Sequence, residues 1–163
     1  MGKNSVLHEV VITAIIVKDG KCLITRRSIK EKRFPGFWTV PGGKLETDDY
    51  INLPKETEHY WYNVLEKVLR KEVFDEVGLE IKNVEYLTSL ARIHEDTNPS
   101  LVVSCLADYA SGEVRLQEDE TENFAWVSLE EAKDYNLIDG IYDELAMAGR
   151  KRKGEKIEKW KRF

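Results

Sequence analysis

The segment Lys71-Glu72-Val73-Phe74-Asp75-Glu76-Val77-Gly78-Leu79 decides the fold of this chain. It closes a stretch of helical periodicity, in which apolar residues recur at three- and four-residue steps. These residues are Trp61, Leu65, Val68, Leu69, Val73 and Val77. We therefore predict a helix that begins after Thr57, as its N-cap, and ends at Gly78, whose missing side chain suits a left-handed C-terminal residue.

Three carboxylates share one face of this predicted helix, because Glu72, Asp75 and Glu76 lie three and four residues apart. Like charges in this arrangement repel, and the helix macrodipole favours cations near its C-terminus. A hard divalent cation would remove both penalties, since carboxylate oxygens are its preferred ligands. A solvated acidic surface gives the same pattern, so the helix alone leaves both interpretations open.

Strands and further helices surround this segment. Residues 8–17 are β-branched and almost continuously apolar, which predicts a strand buried on both faces. Asp19-Gly20 predicts a hairpin turn into a strand over residues 21–27. We predict other strands over residues 38–40, 80–93, 101–109 and 124–127, and helices from residue 129 and over about residues 138–150. The order predicts one mixed α/β domain.

The composition and charge of the chain argue against two kinds of partner, nucleic acid and membrane. The chain has 163 residues, 42% of them apolar, and a net charge of −5, which argues against nucleic acid as its main partner. Residues 150–163 form a basic tail with eight Lys or Arg and two Glu. Because no apolar run is long enough to span a bilayer, we predict no membrane partner and a cytoplasmic location.

A second motif, Val40-Pro41-Gly42-Gly43-Lys44-Leu45-Glu46, lies upstream of the acidic helix. Paired glycines after a short strand allow the backbone to approach a ligand or metal closely. The spacing of a Walker loop is absent, so the motif does not predict that kind of nucleotide site.

Together the two segments resemble the Nudix box, G-x5-E-x7-R-E-U-x-E-E-x-G-U, in which U is a bulky aliphatic residue. Gly43 takes the first position, Asp49 falls where the first Glu is expected, and residues 71–79 match the second half in register. The resemblance covers about residues 8–148 and implies an α/β fold, a Nudix-like α/β/α sandwich with a mixed central sheet. It places the whole chain, residues 1–163, in one such domain.

This box departs from the family pattern in four ways. Asp replaces Glu at positions 49 and 75, and Lys71 replaces Arg, which removes a bidentate guanidinium. In addition, 21 residues separate Asp49 from Lys71 where the pattern has seven. We therefore predict a 14-residue insertion at about residues 50–63.

The resemblance implies a metal-dependent pyrophosphohydrolase. Such an enzyme cleaves a nucleoside diphosphate linked to another moiety by water attack at phosphorus. Nucleoside triphosphates, nucleotide sugars, dinucleotides and coenzyme A are the substrate types left open. The implied ligands of Mg²⁺ or Mn²⁺ are Glu72, Asp75, Glu76 and the backbone carbonyl of Gly42. The implied catalytic residues are Glu72, Glu76 and Glu120, the last as general base or further metal ligand.

Substrate contacts are predicted from the neighbouring strands. In similar family members an Arg after the second strand contacts a phosphate, for which its planar fork is suited. If side chains alternate, one of Arg26 and Arg27 faces the site, and we favour Arg27. Gly43 allows close backbone approach, and Trp38 offers a ring for stacking.

Two other functions remain open at this point. A Nudix-fold module that binds or senses a nucleotide without turnover would explain the altered box. An isopentenyl diphosphate isomerase shares the fold, but the catalytic Cys context of that family is found at neither Cys22 nor Cys105. A homodimer is also left open.

Overall fold

The computed structural model describes residues 6–162, and within them seven strands form one mixed sheet. The strands are β1 (Glu9–Lys18), β2 (Lys21–Arg27), β3 (Trp38–Thr39), β4 (Gly42–Lys44), β5 (Glu80–Arg92), β6 (Ser100–Ser111) and β7 (Thr121–Val127). The helices are α1 (Val64–Val77), α2 (Leu129–Ala132) and α3 (Ile141–Arg152). The predicted bounds of 1–163 include residues 1–5 and 163, which lie outside the described residues.

The sheet is organised around β1, which has neighbours on both sides. The main strand order is β3-β2-β1-β6-β5, while β4 also pairs with β1 and β7 also pairs with β2. The β1–β6 pair is parallel and the other pairs are antiparallel. The predicted mixed central sheet is therefore confirmed.

Successive side chains of β1 enter two different cores, as the two-residue period of a strand requires. Ile12, Ala14 and Ile16 pack with α1 on one face of the sheet. Ile15 packs on the other face with α2 and α3. Because both faces of β1 are covered, the strand needs its nearly continuous apolar sequence. The chain therefore has the predicted helix–sheet–helix layering.

The start of α1 differs from the prediction. The Thr57 hydroxyl does accept a hydrogen bond from the Tyr60 backbone N–H at 2.9 Å, but this closes a turn and not a helix. Asn63 has a left-handed backbone with φ of 55°, and α1 begins only at the next residue. The predicted start at Thr57 is thus wrong, because a local side-chain cap is equally compatible with a turn.

The predicted insertion, residues 50–63, packs largely against itself. Trp61, which the periodicity places on the helix, instead contacts Tyr50 edge-to-face at 5.3 Å between ring centroids. Its indole N–H donates to the Leu53 carbonyl at 2.8 Å, and the Lys55 ammonium lies over its ring. The extra residues therefore form a small cluster of their own.

The glycine motif forms a strand that the sequence did not predict. Strand β3 ends at Thr39, before the motif, and Gly42–Lys44 then pairs antiparallel with β1 as β4. A Cβ on Gly42 would lie 2.2 Å from the Ile12 carbonyl oxygen, so only glycine permits this close pairing. The two glycines thereby hold this backbone against the centre of the sheet.

The C-terminus of α1 is fixed by the loop before β7. Gly78 ends the helix with φ of 74°, as predicted. The backbone N–H groups of Arg115 and Gln117 donate to the carbonyls of Val77 and Glu76 at 2.8 and 2.9 Å. These bonds satisfy carbonyls that a helix end leaves unpaired. None of the helices described between residues 6 and 162 is long and apolar enough to cross a membrane.

We expect Gly78→Ala and Gly149→Ala to change stability in opposite directions. A Cβ at Gly78 would occupy a left-handed residue and lie 3.2 Å from Arg115 Cβ, so the free energy of unfolding should fall by about 1 kcal/mol or more. Gly149 lies inside α3 with open space around it, so alanine there should raise the free energy of unfolding by about 0.5–1 kcal/mol. Urea denaturation measures both, and equal effects of one sign would contradict this account.

Candidate active site

Glu76 joins the three elements that form the site. Its Oε2 accepts a hydrogen bond from the Gly42 backbone N–H at 2.9 Å, and its Oε1 accepts one from the Thr121 hydroxyl at 3.0 Å. These two bonds connect α1 with β4 and with the start of β7. Burial raises the pKa of Glu76 to about 7, although both hydrogen bonds oppose that shift.

Glu72 lies one helical turn earlier and faces the other glycine of the motif. A Cβ added to Gly43 would be 2.2 Å from Glu72 Oε2, so the Glu72 side chain lies directly against this backbone and would have to move for a larger residue. Burial raises the pKa of Glu72, and the nearby Lys71 ammonium lowers it. The paired glycines thus lie directly beside two carboxylates of α1.

Lys71 lies among three carboxylates. Its Nζ is 2.9 Å from Asp75 Oδ2, 3.5 Å from Asp49 Oδ1 and 3.9 Å from Glu72 Oε1. Of the 21 residues between Asp49 and Lys71, residues 50–63 form a loop and residues 64–70 begin α1, and the two side chains still meet. The hydrogen bond from Lys71 to Asp75 is the largest cause of the raised pKa of Lys71.

The oxygen donors in this area suit a hard divalent cation in their chemistry. Glu72, Asp75, Glu76 and Glu120 supply carboxylates, which Mg²⁺ and Mn²⁺ prefer over nitrogen or sulfur. Among residues 6–162 no group of three or more His, Cys, Asp or Glu is arranged to hold one metal ion as it stands. Three carboxylates do converge on one positive charge, but that charge is the Lys71 ammonium. The donor set therefore fits a divalent cation if the Asp75 side chain turns away from Lys71.

A cleft of about 1550 Å³ runs from these carboxylates across the sheet. Glu72, Asp75 and Glu76 line this cleft. Arg27, Arg33 and Arg92 line it as well, and the Arg92 guanidinium lies over the Phe34 ring at 3.8 Å. Mutual repulsion with Arg33 and Arg27 adds to burial in lowering the pKa of Arg92. The arginines of such a cleft can pair with a ligand that carries several negative charges. Its carboxylates can hold a cation.

The structure places some predicted site residues in this cleft and not others. Glu120 lines it in an exposed turn before β7, close enough to raise the pKa of both Glu72 and Glu76. Arg27 also lines it, with its Nε donating to the Arg33 carbonyl at 2.8 Å.

Two predicted substrate contacts do not line the cleft. Arg26 donates to the Gly36 carbonyl at 3.1 Å and pairs with Glu122 at 3.3 Å. Trp38 packs edge-to-face on Tyr135, with 4.7 Å between ring centroids, beside the core that α3 covers. Trp38 therefore has a packing role here and no stacking surface in the cleft.

Comparison with known proteins agrees with this architecture. The family model described as the NUDIX domain matches residues 6–145. The chain belongs to the Nudix hydrolase family. The predicted family and fold class are thereby confirmed.

Among curated relatives, this Nudix chain is 32% identical over 127 residues to the human NAD-capped RNA hydrolase NUDT12. That match covers 77% of this chain and 23% of the relative, so the chain spans about a quarter of the length of such relatives. Among solved structures, a MutT NUDIX hydrolase from Burkholderia pseudomallei has a TM-score of 0.69 at 24% identity, covering 86% of this chain and 98% of that one. An ADP-ribose pyrophosphatase from Streptococcus suis has a TM-score of 0.67 at 21% identity, covering 94% and 98%.

Several residues of this Nudix site had no signal in the sequence. Thr121 was not singled out, because a single Thr after an acidic loop has no distinctive spacing. The residues lining the cleft from β5 and α3 are distant in sequence from the box, among them Arg92 and Glu144. Their position follows from sheet register and helix packing, which the Nudix motif does not encode.

In metal-free protein we expect the pKa of Glu76 to show in the pH dependence of stability. A pKa raised from 4.5 to about 7 means that the folded state binds the proton more tightly than the unfolded state. The stabilisation is complete below about pH 4.5 and is lost as pH rises through about 7. In EDTA, Glu76→Gln should therefore flatten the fall of the unfolding free energy over this range. Glu66→Gln, an exposed change on the same helix, should leave the wild-type slope, and identical slopes in all three proteins would contradict the prediction.

Proposed function

We propose that this chain is a divalent-metal-dependent pyrophosphohydrolase that splits a nucleoside diphosphate linked to another moiety. The observation that carries this proposal is the placement of Glu72 and Glu76 against the paired glycines in a large cleft. The arginines that line the same cleft complement the negative charge of such substrates. Membership of the Nudix hydrolase family supports the same reaction class.

The proposed cofactor is Mg²⁺ or Mn²⁺, held by Glu72, Asp75 and Glu76 with the Gly42 carbonyl as a further oxygen donor. When bound, such an ion lowers the pKa of coordinated water and neutralises charge on phosphate oxygens. Glu76 can serve while keeping its bonds to Gly42 and Thr121, because each carboxylate oxygen has two acceptor positions. Those two bonds hold its carboxylate at a fixed position beside the glycines.

The other residues bind the substrate or move the proton. Glu120 is exposed and lines the cleft near Glu72 and Glu76, where we propose that it acts as general base toward the attacking water or as a further ligand. Arg27 is proposed to contact a substrate phosphate, and its anchored Nε fixes the direction of its guanidinium. Gly43 leaves the backbone open to the diphosphate.

The substrate is proposed to be built on a nucleotide. The cleft exceeds the roughly 300–1,000 Å³ of ordinary ligand pockets, which leaves room for both halves of a two-part substrate. NUDT12 is named an NAD-capped RNA hydrolase and the Streptococcus suis protein an ADP-ribose pyrophosphatase. Both names specify a diphosphate that links adenosine to another group. Adenosine-containing diphosphates are therefore the first substrates to test.

A nucleotide-binding module without turnover is the second candidate function. The position of Lys71 favours it, because three carboxylates of the altered box already bind this ammonium. In that case nucleotides would bind tightly and no phosphate linkage would be cleaved. The homodimer and the cytoplasmic location stay predictions.

Hydrolysis assays separate these two functions. We expect Mg²⁺-dependent release of a nucleoside monophosphate from at least one of ADP-ribose, NADH, coenzyme A, a nucleotide sugar, a dinucleoside polyphosphate or a nucleoside triphosphate. Glu76→Gln should lower kcat/KM by about a hundredfold or more. The control is Glu66→Gln, whose carboxylate pairs with Arg70 on the surface and which should keep full activity. Activity without metal, or full activity in Glu76→Gln, would sink the proposed mechanism, and tight binding without turnover would favour the second candidate.

The two adjacent arginines provide a matched test of substrate contact. Arg27 lines the cleft and Arg26 does not, so Arg27→Ala should raise KM by roughly tenfold, as expected for a lost charge-assisted hydrogen bond. Arg26→Ala should change KM much less. Steady-state kinetics on the substrate found above gives both values, and a larger effect from Arg26→Ala would reverse the assignment.

A further inference from the structure

One buried carboxyl lines the cleft without a role in the proposed reaction. Glu144 lies in the first turn of α3, is 3% exposed, and borders the cleft together with Ile141 of the same helix. Its neighbour Asp143 is equally buried but lines a separate cavity of about 430 Å³. Asp143 pairs with Arg162 at 3.1 Å, whereas Glu144 forms no ion pair within residues 6–162.

The position of Glu144 in the cleft follows from the register of the sheet. Its carboxyl lies beside Ser104 of β6, a contact that lowers its pKa against the raising effect of burial. Ser104 is the partner of Thr13 in β1, and Thr13 is in turn the partner of Gly42 in β4. Two strand spacings of about 4.8 Å therefore place Ser104 roughly 10 Å from the glycine at the reaction site. That separation is of the order of the distance from a purine's outer edge to its 5′-diphosphate.

The surface between these two points is suited to a flat, largely apolar group. Val11 and Thr13 of β1 lie beside Val102 of β6 on the cleft face, and all three are cleft-lining residues. Further along these strands Ile15 and Leu106 belong to the core that α3 covers. Glu144 therefore marks the point where the packed core ends and the open cleft begins.

Beside the Glu144 carboxyl lies a buried hydroxyl that lacks a hydrogen-bond partner among the described residues. A buried carboxyl is costly unless donors satisfy it. The Ser104 hydroxyl is fully buried, and in the part of the chain that is described it has no partner with hydrogen-bonding geometry. A ligand that brings an N–H donor between the two side chains would satisfy both groups, while an anionic group there would be repelled by the carboxylate.

We infer that the Glu144 carboxyl accepts a hydrogen bond from the exocyclic amino group of a purine base and thereby sets nucleotide preference. This inference rests on the proposed function, because it takes the diphosphate to lie at Gly42 and Glu76. A purine reaches further from its ribose than a pyrimidine, and its amino group is a donor. Adenine and guanine both carry that group, so the experiment distinguishes them.

Binding of product-like nucleotides in EDTA tests this without any turnover. AMP is compared with purine riboside 5′-monophosphate, which lacks the 6-amino group, and GMP is compared with IMP, which lacks the 2-amino group. Calorimetry should show about tenfold or tighter binding of the aminated member in the pair that matches the true base. No preference in either pair overturns the inference.

Variants of the adjacent residues Glu144 and Asp143 then show which carboxyl causes the preference for the aminated nucleotide. Glu144→Met keeps the length of the side chain but removes the acceptor, so the amino preference should disappear. Glu144→Gln keeps one acceptor oxygen and should retain part of the preference. Asp143→Asn, an equally buried change facing the other cavity, should keep all of it.

The outcomes are separable from those of the hydrolysis assays. Preference that survives in Glu144→Met, or that is lost equally in Asp143→Asn, contradicts the inference whatever the enzyme activity. If Glu144→Met does not fold, Glu144→Gln decides, because an amino preference equal to that of the wild type in this variant contradicts the inference. Amino preference in a protein that hydrolyses nothing would overturn the proposed function and leave this inference standing.

Discussion

The pair of hydrogen bonds accepted by the Glu76 carboxylate connects the parts of this protein that the sequence keeps apart. One bond comes from the Gly42 backbone and the other from Thr121, so one side chain of α1 connects β4 with the start of β7. Burial at this position disfavours the charged form of Glu76 and raises its pKa to about 7. Because two rigid strands and a helix meet here, the carboxylate has little freedom to move.

This arrangement also explains why Gly42 is required and why Glu72 lies against Gly43. Gly42 approaches β1 so closely that any side chain would meet the Ile12 carbonyl, and Gly43 leaves the space that Glu72 occupies. The close pairing of β4 with β1 thus positions the carboxylates of α1 relative to the sheet. Residues of the sheet in turn line the cleft. Acidic and basic side chains then line one and the same cleft.

Much of this could be predicted from the sequence, for identifiable reasons. The strand β2 and the end of α1 at Gly78 follow from local signals, a left-handed hairpin turn and a left-handed C-terminal residue. The start of α1 could not be predicted, because Thr57 caps a turn with the same hydrogen bond that would cap a helix. The strand β4 was missed because it depends on long-range pairing, which no local propensity reports. Glu144 was missed for a related reason, since only the packing of α3 brings it to the cleft.

Lys71 Nζ lies 3.5 Å from Asp49 Oδ1, although a loop over residues 50–63 and the first residues of α1 lie between the two residues in sequence. Each doubling of such a loop costs only about 0.6 kcal/mol in closure entropy. The geometry at the two ends of this segment therefore depends little on how many residues lie between them. A pattern defined by fixed spacing fails here while the atoms it describes stay together. The same independence makes residues 50–63 a natural place to accept a fluorescent label or an inserted peptide without disturbing the carboxylates.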